Sequence, residues 1–339
     1  MRSIRIAAVL MLAVFTAGSV RADEPYHLRI GWVVAGADLG TLMFVKPGLA
    51  VHAGKSYVPE LTHFEGTSTA MQALATGELD TASLAYSTFA LGVQNAGMSD
   101  LRIIADEFQD GVPGYHTNEY RVRNDSPIRT VEDLKGKVLA VNQRGSAVDV
   151  ALRAMLAKHN LQDKRDVTII EVRFPDQKPM LKEGKVDLII AVVPFGFDPD
   201  LLSFTRPLFT QQDAVGRTQM ITRVAREGFL KAHRAEMVDF MEDYIRALRF
   251  FYDPANHAET VAIVAQATKQ KPAMYESWVF TKDDYYRDPA ALPNLEALQA
   301  NVSLLNKLGL LKSEIDVKKY ADFSIAEEAA SRLDKEAGR

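Results

Sequence analysis

The sequence predicts an α/β protein of two lobes with a helical C-terminal third. Short β-branched runs alternate with longer helical patterns, and they do so in two successive series. Two extended segments, Glu119 to Arg123 and Gln219 to Arg223, bracket the second series. That bracketing predicts a second lobe inserted into the first, a hinge of two strands, and a cleft between the lobes. In such lobes the strand C-termini, and the N-termini of the helices that follow, face the cleft.

The elements follow in order. Arg2 and Arg5 precede an apolar stretch from Ile6 to Ala17, and Val20-Arg21-Ala22 closes it with residues that suit a signal peptidase. The stretch is shorter than the roughly 20 apolar residues of a bilayer span. Residues 1–22 therefore read as a cleaved leader, against a buried or anchoring N-terminal helix. The first part of lobe 1, residues 23–118, opens with a strand from His27 to Val33 and a glycine-bearing loop from Ala35 to Gly40. A strand from Tyr57 to Phe64 leads through Gly66 into a helix over 68–76, capped by Thr67 and stopped at Gly77. A strand from Thr81 to Ala85, a helix ending near Gly97 and a strand from Leu101 to Phe108 complete this part.

Lobe 2 spans 119–218. Thr130-Val131-Glu132-Asp133 is a capping box for a short helix, Val138 to Asn142 a strand, and Ala147 to His159 a helix capped by Ser146. Val167 to Val172 is a strand, Gln177 to Glu183 a short helix, and Asp187 to Val193 a buried strand. Residues 219–339 return to lobe 1. Met237, Phe240, Met241, Tyr244, Ile245 and Leu248 recur at helical spacing within Phe229 to Tyr252, a stripe that reads as core. Further helices are expected over 257–268, 271–279 and 293–308.

Composition narrows the function. The 339 residues carry a formal charge of −4 and no cysteine. Removing the leader deletes three arginines and no acid, so the rest is more acidic still, which argues against nucleic acid or an anionic membrane as partner. Without cysteine there is no thiolate chemistry, no disulfide and no lipid anchor, so stability has to come from a buried core. None of the seven histidines stands at a metal-ligand spacing. No nucleophile elbow, phosphate loop or dinucleotide fingerprint occurs. Thr281-x-x-Asp284 reads as a helix cap. No catalytic residue, metal or cofactor is expected.

What remains are strand-to-helix turns rich in small hydroxylated residues. In Asn142-Gln143-Arg144-Gly145-Ser146, free first-turn amides, a positive helix end and the Ser146 hydroxyl can hold an anion, or Ser146 is a cap and nothing more. Gly66-Thr67-Ser68 and Ala85-Tyr86-Ser87 carry the same chemistry. Trp32 is either core or an aromatic pocket wall. Tyr115, His116 and Asn118 face either the cleft or solvent.

At these residues a family pattern emerges. Leu28-Arg29-Ile30-Gly31 and the run from Ala70 to Asp80 resemble the first lobe of the nitrate/sulfonate/taurine and thiamine-precursor (NMT1/THI5-like) binding proteins. Asp125 to Ile128, Val131 to Lys137, Gly145-Ser146, Gly184 to Asp187, Asp253 to Glu259 and Leu308 to Leu311 extend the resemblance over nearly the whole chain. It implies a type II periplasmic-binding-protein fold that clamps a ligand between its lobes. The implied contacts are the turns from Trp32 through Asp38 to Leu39, Gly66-Thr67-Ser68, Ser83 through Ala85 and Tyr86 to Ser87, Gly145-Ser146-Ala147 and Val193-Pro194-Phe195, with Tyr115 from the loop before the first crossing. The last turn departs from the family, which commonly places a Trp-x-Asp/Glu-Pro segment there. A phenylalanine-lined wall opposite an anion-holding turn suits an organic anion better than bare nitrate. The implied protein is a soluble, monomeric periplasmic solute receptor, without lipid anchor, that delivers a sulfonate-, taurine- or aromatic carboxylate-like ligand to the inner-membrane permease of an ABC importer. The alternatives are an enzyme on the same fold, resembling those of pyrimidine-precursor or menaquinone synthesis, and a periplasmic sensor subunit.

Overall fold

The computed structural model describes residues 24–338; the leader expected over 1–22 lies outside them. The chain runs through β1 (Tyr26–Trp32), β2 (Tyr57–His63), α1 (Thr67–Thr76), β3 (Thr81–Ala85), α2 (Tyr86–Asn95) and β4 (Leu101–Asp110). It continues through β5 (Glu119–Arg123), β6 (Val138–Val141), α3 (Ala147–Lys158), β7 (Thr168–Glu171), α4 (Phe174–Lys182), β8 (Ile189–Ala191), α5 (Pro199–Phe204), β9 (Thr205–Thr210) and α6 (Gln211–Val215). β10 (Thr218–Arg226), α7 (Glu227–Ala232), α8 (Arg234–Tyr252), α9 (His257–Thr268), α10 (Leu295–Lys307) and α11 (Ser324–Glu336) follow.

One sheet has the order β2-β1-β3-β10-β4, with β1 parallel to β2 and β3, and β10 antiparallel to β3 and β4. The second lobe repeats this plan. β6 pairs with β7 in parallel, and β5 lies between β8 and β9, antiparallel to both. A parallel bridge between Leu139 and Leu188 links the two pieces, so β7-β6-β8-β5-β9 forms a continuous surface. Leu28, Ile30, Leu84 and Ile103 fill the first core, and Leu139, Val150 and Ile190 the second, all nearly or fully buried. Among the described residues no helix is long and apolar enough to cross a membrane.

The connection between lobes lies beside the expected hinge segments. Glu119–Arg123 is the middle strand of its sheet, and Gln219–Arg223 is the interior of β10. The chain passes from one sheet to the other through residues 111–118 and back through Gly216 and Arg217, after α6 has packed against α3. Asp110 and Thr218, at the edges of these crossings, face each other in antiparallel register.

Other differences have local causes. α1 starts one residue earlier than expected, with Gly66 as N-cap, and the Thr67 hydroxyl bonds that of Thr88 at 2.6 Å. The capping box over 130–133 closes only a 3-10 turn, Glu132–Leu134, where the Asp133 carboxylate accepts the Arg129 and Thr130 amides. The helix expected over 271–279 shrinks to the turn Pro272–Met274. α4 starts at Phe174 rather than 177, and a break at His233 splits the helical run from Phe229 into α7 and α8. β9 went unanticipated because Pro207 interrupts its pattern; as an edge strand it tolerates a proline. The α8 stripe is core as expected.

Candidate functional site

Three helix starts converge between the lobes. α1 and α2 come from the first lobe and α3 from the second, and Thr67, Ala85, Ser146, Ala147 and Val148 all line one cavity of about 60 Å³. The first-turn amides of a helix have no intrahelical acceptor, and those of Ala147 and Val148 find none elsewhere in the described chain. The polar side chains that line the cavity are Asp38, Thr67, Ser83, Asn142, Ser146 and Tyr285, and no lysine, arginine or histidine lines it.

The Gly145-Ser146 turn is tightly braced. Ser146 donates to Asn142 Oδ1 at 2.9 Å and accepts from the Asp149 amide at 3.3 Å, so its hydroxyl is an N-cap with both roles occupied. The Gly145 amide is committed to Asp149 Oδ2 at 2.8 Å, and Arg153 holds that carboxylate from the next turn. Gly145 has φ +78°, which favours glycine for backbone reasons alone. Ala147 and Val148 are thus the residues of this turn left free to hold an anion.

Beneath the cavity floor lies a buried network. Arg223 donates through Nε to Glu107 Oε1 at 2.6 Å and through Nη2 to Ser83 Oγ at 2.9 Å, and Tyr244 donates to Glu107 Oε2. Burial pushes the Glu107 carboxyl up, opposed by the Arg223 charge. Nearby, Arg287 pairs with Asp284 at 3.2 Å. Asp284 accepts the Phe280 amide and precedes no helix, which corrects the cap reading of 281–284.

A second chamber of about 490 Å³ meets the first at Val33, Val34 and Phe174. Trp32, His63, Phe195, Met274 and Tyr275 are among its walls. The Trp32 ring lies 4.4 Å from that of His63, and Phe174 stacks over Phe195 at 6.2 Å.

The expected site residues divide between these spaces. Asp38, Thr67, Ser83, Ala85, Ser146, Ala147 and Val193 line the inner cavity. Trp32, Pro194 and Phe195 line the outer chamber. Tyr115 and His116 border a separate surface depression with Phe197 and Trp278. Leu39 is fully buried core. Gly66 instead touches the opposite lobe: a Cβ there would stand 2.1 Å from Gln143 Oε1. Ser68 donates across the same seam to the Arg144 carbonyl at 3.4 Å. Tyr86 and Ser87 are buried behind the wall, with hydroxyls that have no partner.

Sequence reasoning missed Phe108, Phe174, Met220, Ile221 and Tyr285 on the inner wall. Met220 and Ile221 sit in the segment read as hinge. Tyr285 belongs to the long connection between α9 and α10, which carries no periodic signal. As for metals, His52, Asp239 and Glu242 bring ligand atoms within 4.8 Å of one another on the far side of lobe 1. Arg332 already pairs with Asp239 and Arg246 with Glu242, so the group is an ion-pair cluster.

Comparison with known proteins agrees with this architecture. No curated protein matches the sequence. The alkanesulfonate-binding protein SsuA from Xanthomonas axonopodis pv. citri, bound to MOPS, superposes with a TM-score of 0.69 at 22% identity over 89% of this chain and 99% of that one. The periplasmic nitrate-binding protein NrtA from Synechocystis PCC 6803 gives 0.71 at 14% identity, over 91% and 89% of the two chains. The desulfurization enzyme DszB gives 0.62 at 15% identity, over 91% and 99%. The fold is that of type II periplasmic binding proteins. Residues 21–265 match the model of the NMT1-like family, and the chain belongs to that family.

Proposed function

From membership of the NMT1-like family, we propose that this chain is the solute-binding component of an ABC importer, holding a small organic anion between its lobes and handing it to a permease. The observation that carries the reading is the convergence of three helix starts, from both lobes, on one cavity where the Ala147 and Val148 amides lack acceptors. Amides at a helix N-terminus favour an anion without a full positive charge. The inner cavity holds only a head group, because a pocket for a whole organic ligand runs to roughly 300 to 1,000 Å³. The ligand's body then lies in the outer chamber, against Trp32, Phe174 and Phe195. SsuA, which shares the fold, is an alkanesulfonate-binding protein. The leader motif supports export to the periplasm.

DszB shares the fold as well, so an enzyme is the competing reading. With no cysteine in the chain, a thiol nucleophile is excluded, and Asp38 and Tyr285 are the titratable side chains on the inner wall. A thermal-shift panel of sulfonates, carboxylates and nitrate separates the two readings. A ligand at a hundredfold excess over Kd stabilises the protein by about 2.7 kcal/mol, or about 5 °C for a chain of this size. The receptor reading expects such a shift with the ligand recovered unchanged. Recovery of a converted product overturns it.

A further inference from the structure

We propose that His116 is a proton switch at the junction of the lobes: a second proton on its ring breaks the aromatic contact that joins the lobes there, and the lobes part. On the solute-receptor reading the same step loosens the hold on the solute.

His116 lies in the first crossing, and its amide donates to the Asp284 carbonyl at 3.0 Å. That bond ties it to the connection between α9 and α10, which is packed on the first lobe. There Phe280 stacks on Phe251 of α8 at 4.9 Å, and Tyr286 bridges Gln109 of β4. Against the same imidazole comes Phe197, which follows β8 in the second lobe, with ring centroids 5.1 Å apart. Phe197 also stacks on Trp278 at 4.5 Å, the rings 4° from parallel. Tyr285 closes the cluster edge-on, 5.4 Å from His116. Among these rings only Phe197 comes from the second lobe. When the lobes part, it leaves His116 and Trp278 together.

The imidazole has one wet edge and one dry one. Nδ1 makes no hydrogen bond among the described residues and is not sealed, so it opens on the depression of about 300 Å³ bordered by Tyr115, Lys282 and Asp283. Nε2 is sealed from solvent and has no hydrogen-bond partner. A neutral imidazole tolerates this with its proton on Nδ1. An imidazolium carries a proton on both nitrogens, which makes Nε2 a charged donor without an acceptor. The faces of Phe197 and Tyr285 offer it no lone pair. Such a group is among the costliest to bury.

The acids nearby do not remove that cost. Asp284 is paired with Arg287, Glu119 is held by Arg121, and Asp283 stands beside Lys282 on the rim of the depression. Burial accordingly holds the His116 pKa below its ordinary value, against the opposing pull of Asp284, Glu119 and Asp283. Once Phe197 moves away, Nε2 reaches water and the pKa returns toward about 6.5. The parted form therefore binds the proton better. As pH falls through about 6.5 and below, the equilibrium shifts toward it by up to about tenfold per pH unit.

The test uses the purified protein without solute, so its failure leaves the receptor reading standing. Trp32→Phe makes Trp278 the single tryptophan of the chain. Its emission reports whether Phe197 still covers it, and small-angle scattering reports the radius of gyration. Between pH 8 and pH 5, emission should move to longer wavelength and the radius should grow, both as a one-proton transition at or below about pH 6.5. Adding His116→Phe, which keeps an aromatic ring and cannot ionise, should abolish both changes. His116→Gln, also neutral, replaces it if circular dichroism at pH 8 shows that the phenylalanine variant is unfolded. Asp106 and Asp110 titrate near pH 7 in all of these proteins and cancel from the comparison. An acid transition that persists in the folded variant overturns the switch. So does a radius that stays constant down to pH 5 with His116 in place, whether or not the emission moves.

Discussion

The Tyr285 hydroxyl donates to Asn118 Oδ1 at 2.5 Å and accepts the Val193 amide at 3.3 Å. One side chain thus ties a crossing between the lobes to the segment after β8, while its ring stacks on Phe108 at 4.4 Å. Tyr285→Phe keeps the stack and strands two buried polar atoms. An unsatisfied buried group costs about 1 to 3 kcal/mol. For two such groups, at about 2 °C per kcal/mol, melting should fall by about 4 to 12 °C, and ligand affinity should fall with it. Calorimetry on the variant checks this; an unchanged melting temperature means that the packing between the lobes does not depend on these bonds.

The seam at Gly66 gives a prediction about closure. Gly66 has φ −178°, extended backbone that any residue adopts, so alanine there strains nothing within lobe 1. The atoms nearest its Cβ all belong to the Gln143 side chain of the opposite lobe. Gly66→Ala puts a methyl group on a buried N-cap against Gln143, so it should lower stability by up to about 1 kcal/mol and weaken binding as well. Adding Gln143→Ala should restore affinity, a coupling read by a double-mutant cycle. Additive losses would place the cause elsewhere.

The turns that build the inner cavity are legible in the sequence because their signals are local. Thr67, Ala85 and Ser146 stand at strand ends followed by helical patterns, and all three reach the wall. Asp38, Ser83 and Val193 follow from family resemblance alone. The remainder depends on what the chain brings back from a distance. Tyr285 arrives from an aperiodic connection, and Phe108 and Ile221 are strand residues whose pattern says only that they are buried. An extended pattern does not distinguish a strand within a sheet from one that links two sheets, so the sequence places the crossings only to within a strand. Glu119–Arg123 is the clearest case.

Ser146 separates capping from binding. Since its hydroxyl already serves Asn142 and Asp149, Ser146→Ala should cost about 1 kcal/mol of stability, the usual worth of an N-cap. Affinity should change by less than about threefold, because the proposed anion contacts are backbone amides, worth far more than the residual effect here. Melting and titration on the same variant decide it. A tenfold loss of affinity would assign the hydroxyl to the ligand.

Asp110 makes the region between the lobes sensitive to pH. It ends β4 opposite Thr218, and its carboxylate accepts from Thr117 Oγ1 at 2.5 Å and from the Asn118 amide at 3.0 Å. Burial nevertheless pushes its pKa up to about 7. In the unfolded chain an aspartate titrates near 3.9. The folded state therefore holds this proton more tightly, and its stabilising contribution is full below about pH 4. That contribution fades as pH rises, and it is gone once pH exceeds the folded value of about 7. The neighbouring phenols of Tyr120 and Tyr285 are raised by burial and stay neutral throughout this window. Asp106, likewise raised to about 7, is present in both proteins and cancels from their difference. Asp110→Asn carries no charge at any pH, so its melting temperature relative to wild type should climb between pH 5 and about pH 7 and level off by pH 8. Melts across that range measure the slope directly. A difference that stays constant, or that shrinks as pH rises, means that Asp110 is ionised in the folded protein across the window, with its hydrogen bonds outweighing its burial.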